Sequence, residues 1–334
     1  MKIKIFLFFL ILSTVFVPAQ GKFNGYFSLN YIKGQKQTAF HQGSFQNAVL
    51  GLIFSGDTTE NVGYTAEIRF ADDNFKLEEL FVGIKPSLSF NLKLGLYLVP
   101  FGRYNQLNRA HQTALINFPL NVEKTFPSSW KDIGLLLEGR LSSFFYSAYL
   151  GNGLAENESL GQSQQLKDNN KDKGKGGRVG VALSRQMEVA YSCYKGKYDE
   201  QNMRDLVLQG LDLIWAEESF EVLAEYSRAT LENPENFDAG KAEGWFIQFS
   251  FKADRLQPVL CYQRMKCNDP FHGPGFMSPD VQGAGISEEK GRWALGLRYF
   301  ISENGSLKFE YDFNSEKGVK SKDDTLSIQV ALSF

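Results

Sequence analysis

The chain is poor in cysteine and has no long apolar run beyond its amino terminus. Only three cysteines, Cys193, Cys261 and Cys267, occur among 334 residues, which excludes a secreted framework stapled by several disulfides. The sequence does not exclude a single disulfide between Cys261 and Cys267. A membrane-spanning helix needs ~20 consecutive apolar residues, and the chain beyond its amino terminus has no such stretch. Because no window carries a sustained helical stripe either, we predict a low helix content.

An excess of charge of either sign is also absent. The chain has 36 Lys and Arg against 38 Asp and Glu, a net charge of −2, so we expect no nucleic-acid partner. The three histidines, His41, His111 and His272, lie far apart. The spacing of Cys261, Cys267 and His272 fits no zinc pattern. The residues therefore predict neither a metal nor another cofactor.

What the chain does have is an abundance of aromatic residues and segments of alternating polarity. It carries 29 Phe and 14 Tyr, together with 31 Gly. In the last segment Leu326, Ile328, Val330, Leu332 and Phe334 alternate with small or polar residues, as in a strand with one apolar and one polar face. A final strand that ends on an aromatic residue resembles the closing strand of outer-membrane β-barrels, in which the terminal Phe belongs to the assembly signal.

Alternation of this kind recurs from Phe23 to the end and predicts about sixteen strands, each near the ~10 residues that a tilted membrane strand needs. Short predicted connections, such as 185–186 and 217–218, take turns with long polar ones, such as 100–131 and 152–177. Membrane barrels sort their loops by rim in this way, whereas a soluble β-sandwich has no reason to do so. The sequence therefore predicts an all-β, 16-stranded antiparallel transmembrane β-barrel with long outer loops.

The outer face of this barrel should be apolar, with aromatic girdles at its edges. The lipid-facing residues that we expect include Leu92, Leu94, Leu96, Ile328 and Val330. The girdle candidates are Tyr31, Tyr299 and Tyr311.

The amino terminus has the features of a cleaved signal peptide, predicted at 1–19. Two lysines precede a short apolar stretch, and a small-residue cleavage site ends at Ala19. The alternative, an anchor helix, is disfavoured because this stretch is too short to span a bilayer. The barrel then covers 20–334. Its expected location is the outer membrane of a Gram-negative-type bacterium, in contact with lipid and lipopolysaccharide.

Two short stretches carry a family resemblance. Residues 94–103 read L-G-L-Y-L-V-P-F-G-R before a polar loop, and residues 149–153 read Y-L-G-N-G before a charged loop. Both stretches, in this layout of strands, resemble the phosphate-selective porin O/P family. The resemblance implies a sixteen-stranded outer-membrane barrel, often a homotrimer, that passes phosphate or other small anions.

The third outer loop, 100–131, is the candidate constriction, because the corresponding loop of sixteen-stranded porins folds into the lumen. It carries several cations against a single acid, Glu123. A positive loop in a narrow, partly dehydrated pore concentrates anions, since low-dielectric walls focus the field. Alternatively, these cations face solvent or hold the loop to acids of the wall, and both interpretations stay open. The candidate anion-attracting residues are Arg103, Arg109, His111, Lys124 and Lys131.

The inward face of the wall is predicted to be mixed in charge, which indicates an aqueous channel of weak selectivity. Phosphate specificity would require a dense run of cations along one lumen face, and the sequence shows none. The inward cations are Arg69, Lys93, Arg140, Arg298 and Lys308. The inward acids are Glu67, Glu138, Glu225, Glu310 and Asp312.

The expected function is passive diffusion of small hydrophilic solutes through an outer-membrane porin, with a modest preference for anions such as phosphate. One alternative is an outer-membrane hydrolase, but the sequence has no G-x-S-x-G and no H-E-x-x-H motif. We therefore expect that the chain is not an enzyme. The other alternative is a structural or adhesive barrel whose loops fill the lumen.

Overall fold

A closed barrel makes up almost the whole of the computed structural model, which describes residues 21–72, 74–87, 89–157, 159–233, 239–267, 289–318 and 321–334. The predicted signal peptide, His272 and most of the loop predicted at 266–290 lie outside the described residues. Sixteen antiparallel strands form one sheet in which each strand pairs with its neighbours in sequence and β1 pairs with β16. The predicted fold class is confirmed.

The first eight strands are β1 (Lys22–Gly34), β2 (Ser44–Thr59), β3 (Val62–Ala71), β4 (Asn74–Ser87), β5 (Phe90–Leu98), β6 (Lys131–Leu141), β7 (Phe144–Gly151) and β8 (Gly174–Ala182). The other eight are β9 (Met187–Lys197), β10 (Asp205–Ala216), β11 (Phe220–Leu231), β12 (Gly240–Phe251), β13 (Leu256–Cys267), β14 (Glu289–Ser302), β15 (Gly305–Glu316) and β16 (Thr325–Ser333).

Regular helix is confined to the loops, in agreement with the predicted low helix content. One short helix, α1 (Leu120–Lys124), lies between β5 and β6, and two 3-10 turns cover Tyr104–Gln106 and Leu160–Gln162. Among the described residues no helix is long and apolar enough to cross a bilayer.

The connections are sorted by rim as the sequence predicts. Tight turns such as 60–61, 142–143 and 303–304 close one rim, whereas long connections such as 99–130 and 152–173 emerge at the other. The β3–β4 link is the exception on the long-loop rim, because only residues 72 and 73 separate the two strands. The long-loop rim is called the outer rim below, and the tight-turn rim the inner rim.

The terminal aromatic residue closes the seam between the first and last strands. The backbone N–H of Phe334 donates to the carbonyl of Gly25 at 2.9 Å, and the N–H of Gly25 donates back at 2.7 Å. A Cβ atom at position 25 would lie 2.4 Å from the Phe334 ring. Glycine at this position therefore leaves the room that the last ring occupies.

The outer surface carries a belt of exposed apolar side chains. Leu94, Leu211 and Leu295 are 36%, 51% and 47% exposed on the outer face, which is unfavourable in water and favourable against lipid. The rings of Trp245, Tyr262 and Trp293 follow one another at centroid distances of 5.4 and 4.5 Å, in the arrangement of an aromatic girdle. Of the residues predicted to face lipid, Leu96 is buried between its cross-strand neighbours.

The main hydrophobic core lies inside the barrel. The inward side chains of Leu206, Leu208, Leu223, Phe246 and Val259 are all at most 4% exposed. The prediction of a hydrophilic interior is therefore wrong for the part of the wall formed by β10–β13. Apart from the outward Gln209 and the inward Asp212, strand β10 is apolar on both faces between its ends, which is the reason that its alternation is weak in the sequence.

Candidate functional site

The segment that connects β5 to β6, residues 99–130, lies inside the barrel and is called the lumen loop. Its side chains Phe101, Phe126 and Trp130 are at most 1% exposed. The Phe101 ring lies 4.9 Å from that of Phe126 and 5.9 Å from that of Trp130. Trp130 in turn meets the inward ring of Tyr194 at 5.0 Å. Apolar packing against the wall thus fills one side of the lumen.

Two inward acids of the wall hold the backbone of this loop. Glu225 accepts hydrogen bonds from the N–H groups of Arg103 and Tyr104, both at 2.9 Å. Glu310 accepts two more, one of them from the N–H of Asn117 at 3.1 Å. Backbone donors buried away from water need such partners, and a carboxylate that accepts from two N–H groups makes strong, charge-assisted hydrogen bonds.

Two inward cations of the wall bind the loop through its carbonyl groups. The ammonium of Lys308 is fully buried and donates to the carbonyls of Ala110 at 2.5 Å and Leu115 at 3.3 Å. The guanidinium of Arg298 donates to the carbonyl of His111 at 2.8 Å. These two predicted lumen charges therefore position the loop instead of facing open solvent.

Arg109 of the lumen loop faces the acids of β3 and β4. Its guanidinium binds both carboxylate oxygens of Glu67, with Nε to Oε1 at 3.2 Å, and lies 3.6 Å from Glu79. Burial opposes the charge, but the hydrogen bond and the two carboxylates raise the pKa of Arg109. The Tyr26 hydroxyl donates to the same Glu67 at 2.8 Å. Arg109 thus connects the lumen loop to the wall through ion pairs.

Lys131 and Arg69 share one acid. The ammonium of Lys131 lies 2.5 Å from the buried carboxylate of Glu78, and the guanidinium of Arg69 lies 3.7 Å from it. Removing one member of such a buried group leaves the others uncompensated, which is costly. The structure thus brings together a cation predicted for the constriction and one predicted for the wall.

His111 is surrounded by cations. Burial, and after it the positive charges of Arg109, Lys308 and Arg298, together lower the pKa of its imidazole to about 4. Its ring lies 5.6 Å from that of Tyr26. The imidazole is therefore neutral at pH 7 and adds no positive charge to the lumen loop. The remaining predicted loop cation, Lys124, is half-buried at the end of α1.

Towards the inner rim the lumen is less filled and its charges are partly exposed. Lys93 pairs with Glu138 at 2.8 Å, and Arg140 pairs with Glu188 at 2.6 Å. Arg103 is 3.8 Å from the same Glu188, with its side chain 30% exposed. The four wall side chains point inward by register and Arg103 reaches them from the lumen loop, so this half of the lumen is a chamber of mixed charge.

A second long connection, 152–173, covers part of the outer end of the lumen loop. Asp132 at the start of β6 accepts hydrogen bonds from the N–H groups of Asn152 and Gly153, both at 2.9 Å. A Cβ atom at Gly161 would lie 2.2 Å from the carbonyl of Glu123 in α1. The close approach of the two loops leaves the other side of the barrel as the entrance.

This entrance is a cavity of about 790 Å³ that we call the vestibule. It lies between the lumen loop and the inward faces of β16 and β1–β4, next to Arg109, and residues of the second connection, Gly161, Gln164 and Leu166, also border it. Amide, charged and aromatic side chains line it. From the wall these include Tyr26, Asn30, Arg69, Glu78 and Gln329, and from the loop Tyr104, Asn108, Arg109, Asn117 and Phe118.

Neither a disulfide nor a metal cluster forms within the described residues. None of Cys193, Cys261 and Cys267 forms a disulfide, so Cys261 and Cys267 are not bridged. Groups of three or more His, Cys, Asp or Glu suited to a metal ion do not occur in that part of the chain.

Sequence reasoning missed the apolar contribution of the lumen loop. The segment from Leu115 to Trp130 contains seven apolar or aromatic residues, more than a solvated outer loop needs. That excess was the available indication that the loop packs against the wall, because solvent-exposed loops are mostly polar.

Comparison with known proteins establishes the fold and little beyond it. No family model matches the chain. An uncharacterized protein of Aquifex aeolicus (strain VF5) is 24% identical over an alignment of 205 residues that covers 55% of this chain and 47% of that protein. The chain thus matches about half the length of this curated relative.

Three solved structures illustrate the structural similarity. A loop L8 deletion mutant of OmpT, an outer membrane protein of Vibrio cholerae, has a TM-score of 0.68 at 11% identity, covering 94% of this chain and 99% of that one. An anion-selective porin from Comamonas acidovorans has a TM-score of 0.66 at 10% identity, with the same coverage. OmpF of Salmonella typhi, in complex with daunomycin, has 0.67 at 12%, covering 94% and 97%. Identities this low show a porin-like barrel fold alone.

Proposed function

We propose that this chain is an outer-membrane porin through which small hydrophilic solutes diffuse passively. The observation that carries the proposal is the polar vestibule, which opens beside the lumen loop and faces the charged chamber of the inner half across Arg109. The apolar belt fits a lipid bilayer. Export by the predicted signal peptide would place the chain in the outer membrane, next to lipid and lipopolysaccharide. The proposed transport requires no cofactor and no chemical step.

A modest preference for anions is part of the proposal and depends on Arg103 and Arg298. Arg103, 3.8 Å from Glu188, shares that acid with Arg140, whereas Arg298 binds carbonyl groups of the loop and has Glu221 as its nearby acid. In this part of the lumen three arginines therefore face two carboxylates. Unmatched positive charge in a narrow lumen favours anions. The similar barrel of Comamonas acidovorans is described as anion-selective. Phosphate, suggested by the resemblance to the phosphate-selective porin O/P family, is one candidate anion.

A homotrimer is the proposed assembly. A trimer form of the similar OmpT of Vibrio cholerae is known, with a TM-score of 0.65 at 12% identity. The long apolar belt offers area for contacts between barrels as well as with lipid.

A structural or adhesive barrel is the second candidate, because the lumen loop packs as a dry apolar core against β9–β13. A channel and a sealed barrel differ in whether the vestibule communicates with the inner chamber. Conductance distinguishes the two.

The test is the current across a planar bilayer that contains refolded protein, residues 20–334, under a potassium chloride gradient. A porin gives stable ohmic steps of current and a reversal potential whose sign shows a preference for anions. Arg103→Ala should move that potential towards cation preference, whereas Lys317→Ala, on an outer loop and 78% exposed, should leave it unchanged. Absence of current from a folded barrel would reject the porin and favour the sealed barrel.

A further inference from the structure

Unsatisfied polar atoms gather at the vestibule. Three of its lining residues have a buried side-chain atom without a hydrogen-bond partner in the described structure: Gln329 through Oε1, Glu78 through Oε1 and Arg69 through Nε. Gln329 is 4% exposed and Glu78 is 2% exposed. A buried polar atom without a partner is costly. Three of them around one cavity therefore indicate a site that a ligand completes.

Both donors and acceptors are available in this set. Gln329 donates its amide N–H to Oδ1 of Asn30 at 2.8 Å, so its free Oε1 can only accept. Glu78 accepts as well, whereas Nε of Arg69 donates. A hydroxyl group both donates and accepts. A ligand with several hydroxyl groups can satisfy all three atoms.

The charges around the vestibule are balanced in number, since the lining residues outside its ion pairs, Lys76 and Glu123, are of opposite sign. Arg109 pairs with Glu67 and Glu79, and Glu78 is shared by Lys131 and Arg69. An anion such as inorganic phosphate has acceptor oxygens that would meet the carboxylate of Glu78 and the carbonyl oxygen of Gln329. The site therefore favours a neutral ligand over an anion.

Aromatic rings complete the lining. The ring of Tyr104 meets that of Phe118 edge-on at a centroid distance of 5.6 Å, and both residues border the cavity. A cavity of ~300–1,000 Å³ with apolar walls and a few placed polar groups is typical of a small-molecule site. The vestibule, at about 790 Å³, lies within that range.

We infer that the vestibule binds a neutral, hydroxyl-rich solute of monosaccharide or disaccharide size on its way into the pore. This inference rests on the proposed porin function and names a solute class for it. The balanced vestibule selects the neutral solute, whereas the small anion preference of the ionic current arises deeper, at Arg103 and Arg298.

The test uses maltose as the probe in two measurements on the refolded barrel. Maltose added at the outer rim should interrupt the potassium chloride current through single channels, and titration calorimetry should show saturable binding to the detergent-solubilised protein. Sodium phosphate and glycine at the same concentration should produce neither effect.

Two matched variants separate a specific site from a general effect. Gln329→Leu should weaken maltose binding at least tenfold. Gln248→Leu is the control, because Gln248 is also inward, 3% exposed and without a partner for Oε1, but lies on β12 outside the vestibule lining. It should leave maltose binding unchanged.

The outcomes are distinct for the two proposals. Current that maltose does not interrupt, with no heat of binding, overturns the vestibule site and leaves the porin intact. Stronger binding of phosphate or glycine than of maltose also overturns it, in favour of an anionic or zwitterionic solute. Saturable maltose binding without any current would retain the site and reject the porin.

Discussion

At the scale of single residues, the charges inside this barrel hold the lumen loop more than they line a pore. Glu225 and Glu310 accept hydrogen bonds from its backbone N–H groups, and Lys308 and Arg298 donate to its carbonyls. Alternation alone indicates that these side chains point inward, because the period of a strand is two. It gives no partner for any of them, since the partners come from a loop distant in sequence.

His111 should make the loop sensitive to acid. Its pKa of about 4 lies below the ~6.5 of an unfolded histidine, so as the pH falls the unfolded chain takes up the proton first. The stability that neutral His111 contributes is therefore complete above about pH 6.5 and is lost progressively down to about pH 4. Protonation would place a charge beside Arg109, Lys308 and Arg298, with Glu67 as the compensating acid.

Urea unfolding at pH 7 and pH 4.5 measures this effect. We expect His111→Asn to lose less stability than the parent between the two pH values. His41→Asn, on the exposed β1–β2 loop, is the control and should behave as the parent does. Equal losses in all three proteins would show that His111 is not held neutral.

At the scale of elements, the strands were predictable and the lumen loop was not. Strand β5 reads as clean alternation because its outward Leu92 and Leu94 belong to the apolar belt, whereas its inward Asn91 and Lys93 pair with Glu138 in the charged chamber. Strand β10 alternates weakly because its inward Leu206 and Leu208 pack against the lumen loop. A two-residue period reports a difference between faces, so it vanishes where both faces are apolar.

The apolar belt makes a prediction about β5. Leu94→Arg places a charge on the outer face, 36% exposed to the surroundings, and should cost about 2–4 kcal/mol if it lies near the bilayer midplane. Urea titration of the barrel in lipid vesicles measures this cost. Met203→Arg, in the β9–β10 connection and 69% exposed, should cost almost nothing. Unchanged stability of Leu94→Arg would mean that Leu94 does not face lipid.

The packing of the lumen loop makes a prediction about Trp130. Trp130 is fully buried and touches Tyr194, Tyr149 and Phe101, so Trp130→Ala should destabilise the fold by about 3–5 kcal/mol. A loosened loop should also increase the single-channel conductance. Trp215→Ala, on the outer face near the inner rim, is the control for loss of an indole and should leave the conductance unchanged.

At the scale of the whole molecule, the barrel has two unequal halves. One half of the lumen, against β9–β13, is filled by the lumen loop, and the other, against β16 and β1–β4, contains the vestibule. The number of strands and the sorting of the loops follow from the sequence, because both depend on local patterns. The off-centre position of the open space does not, since it depends on which wall carries apolar inward residues opposite the aromatic rings of the loop.

The measurement that tests this account most directly is the effect of a charged, membrane-impermeant thiol reagent on single-channel current. The parent for this test carries Cys193→Ser and Cys267→Ser and keeps Cys261, which is inward and fully buried in the filled half. Adding Asn30→Cys places a thiol in the vestibule. We predict that the reagent reduces the current only in the protein with Asn30→Cys. Loss of current in the parent, or no effect on Asn30→Cys, would contradict an off-centre path beside the lumen loop.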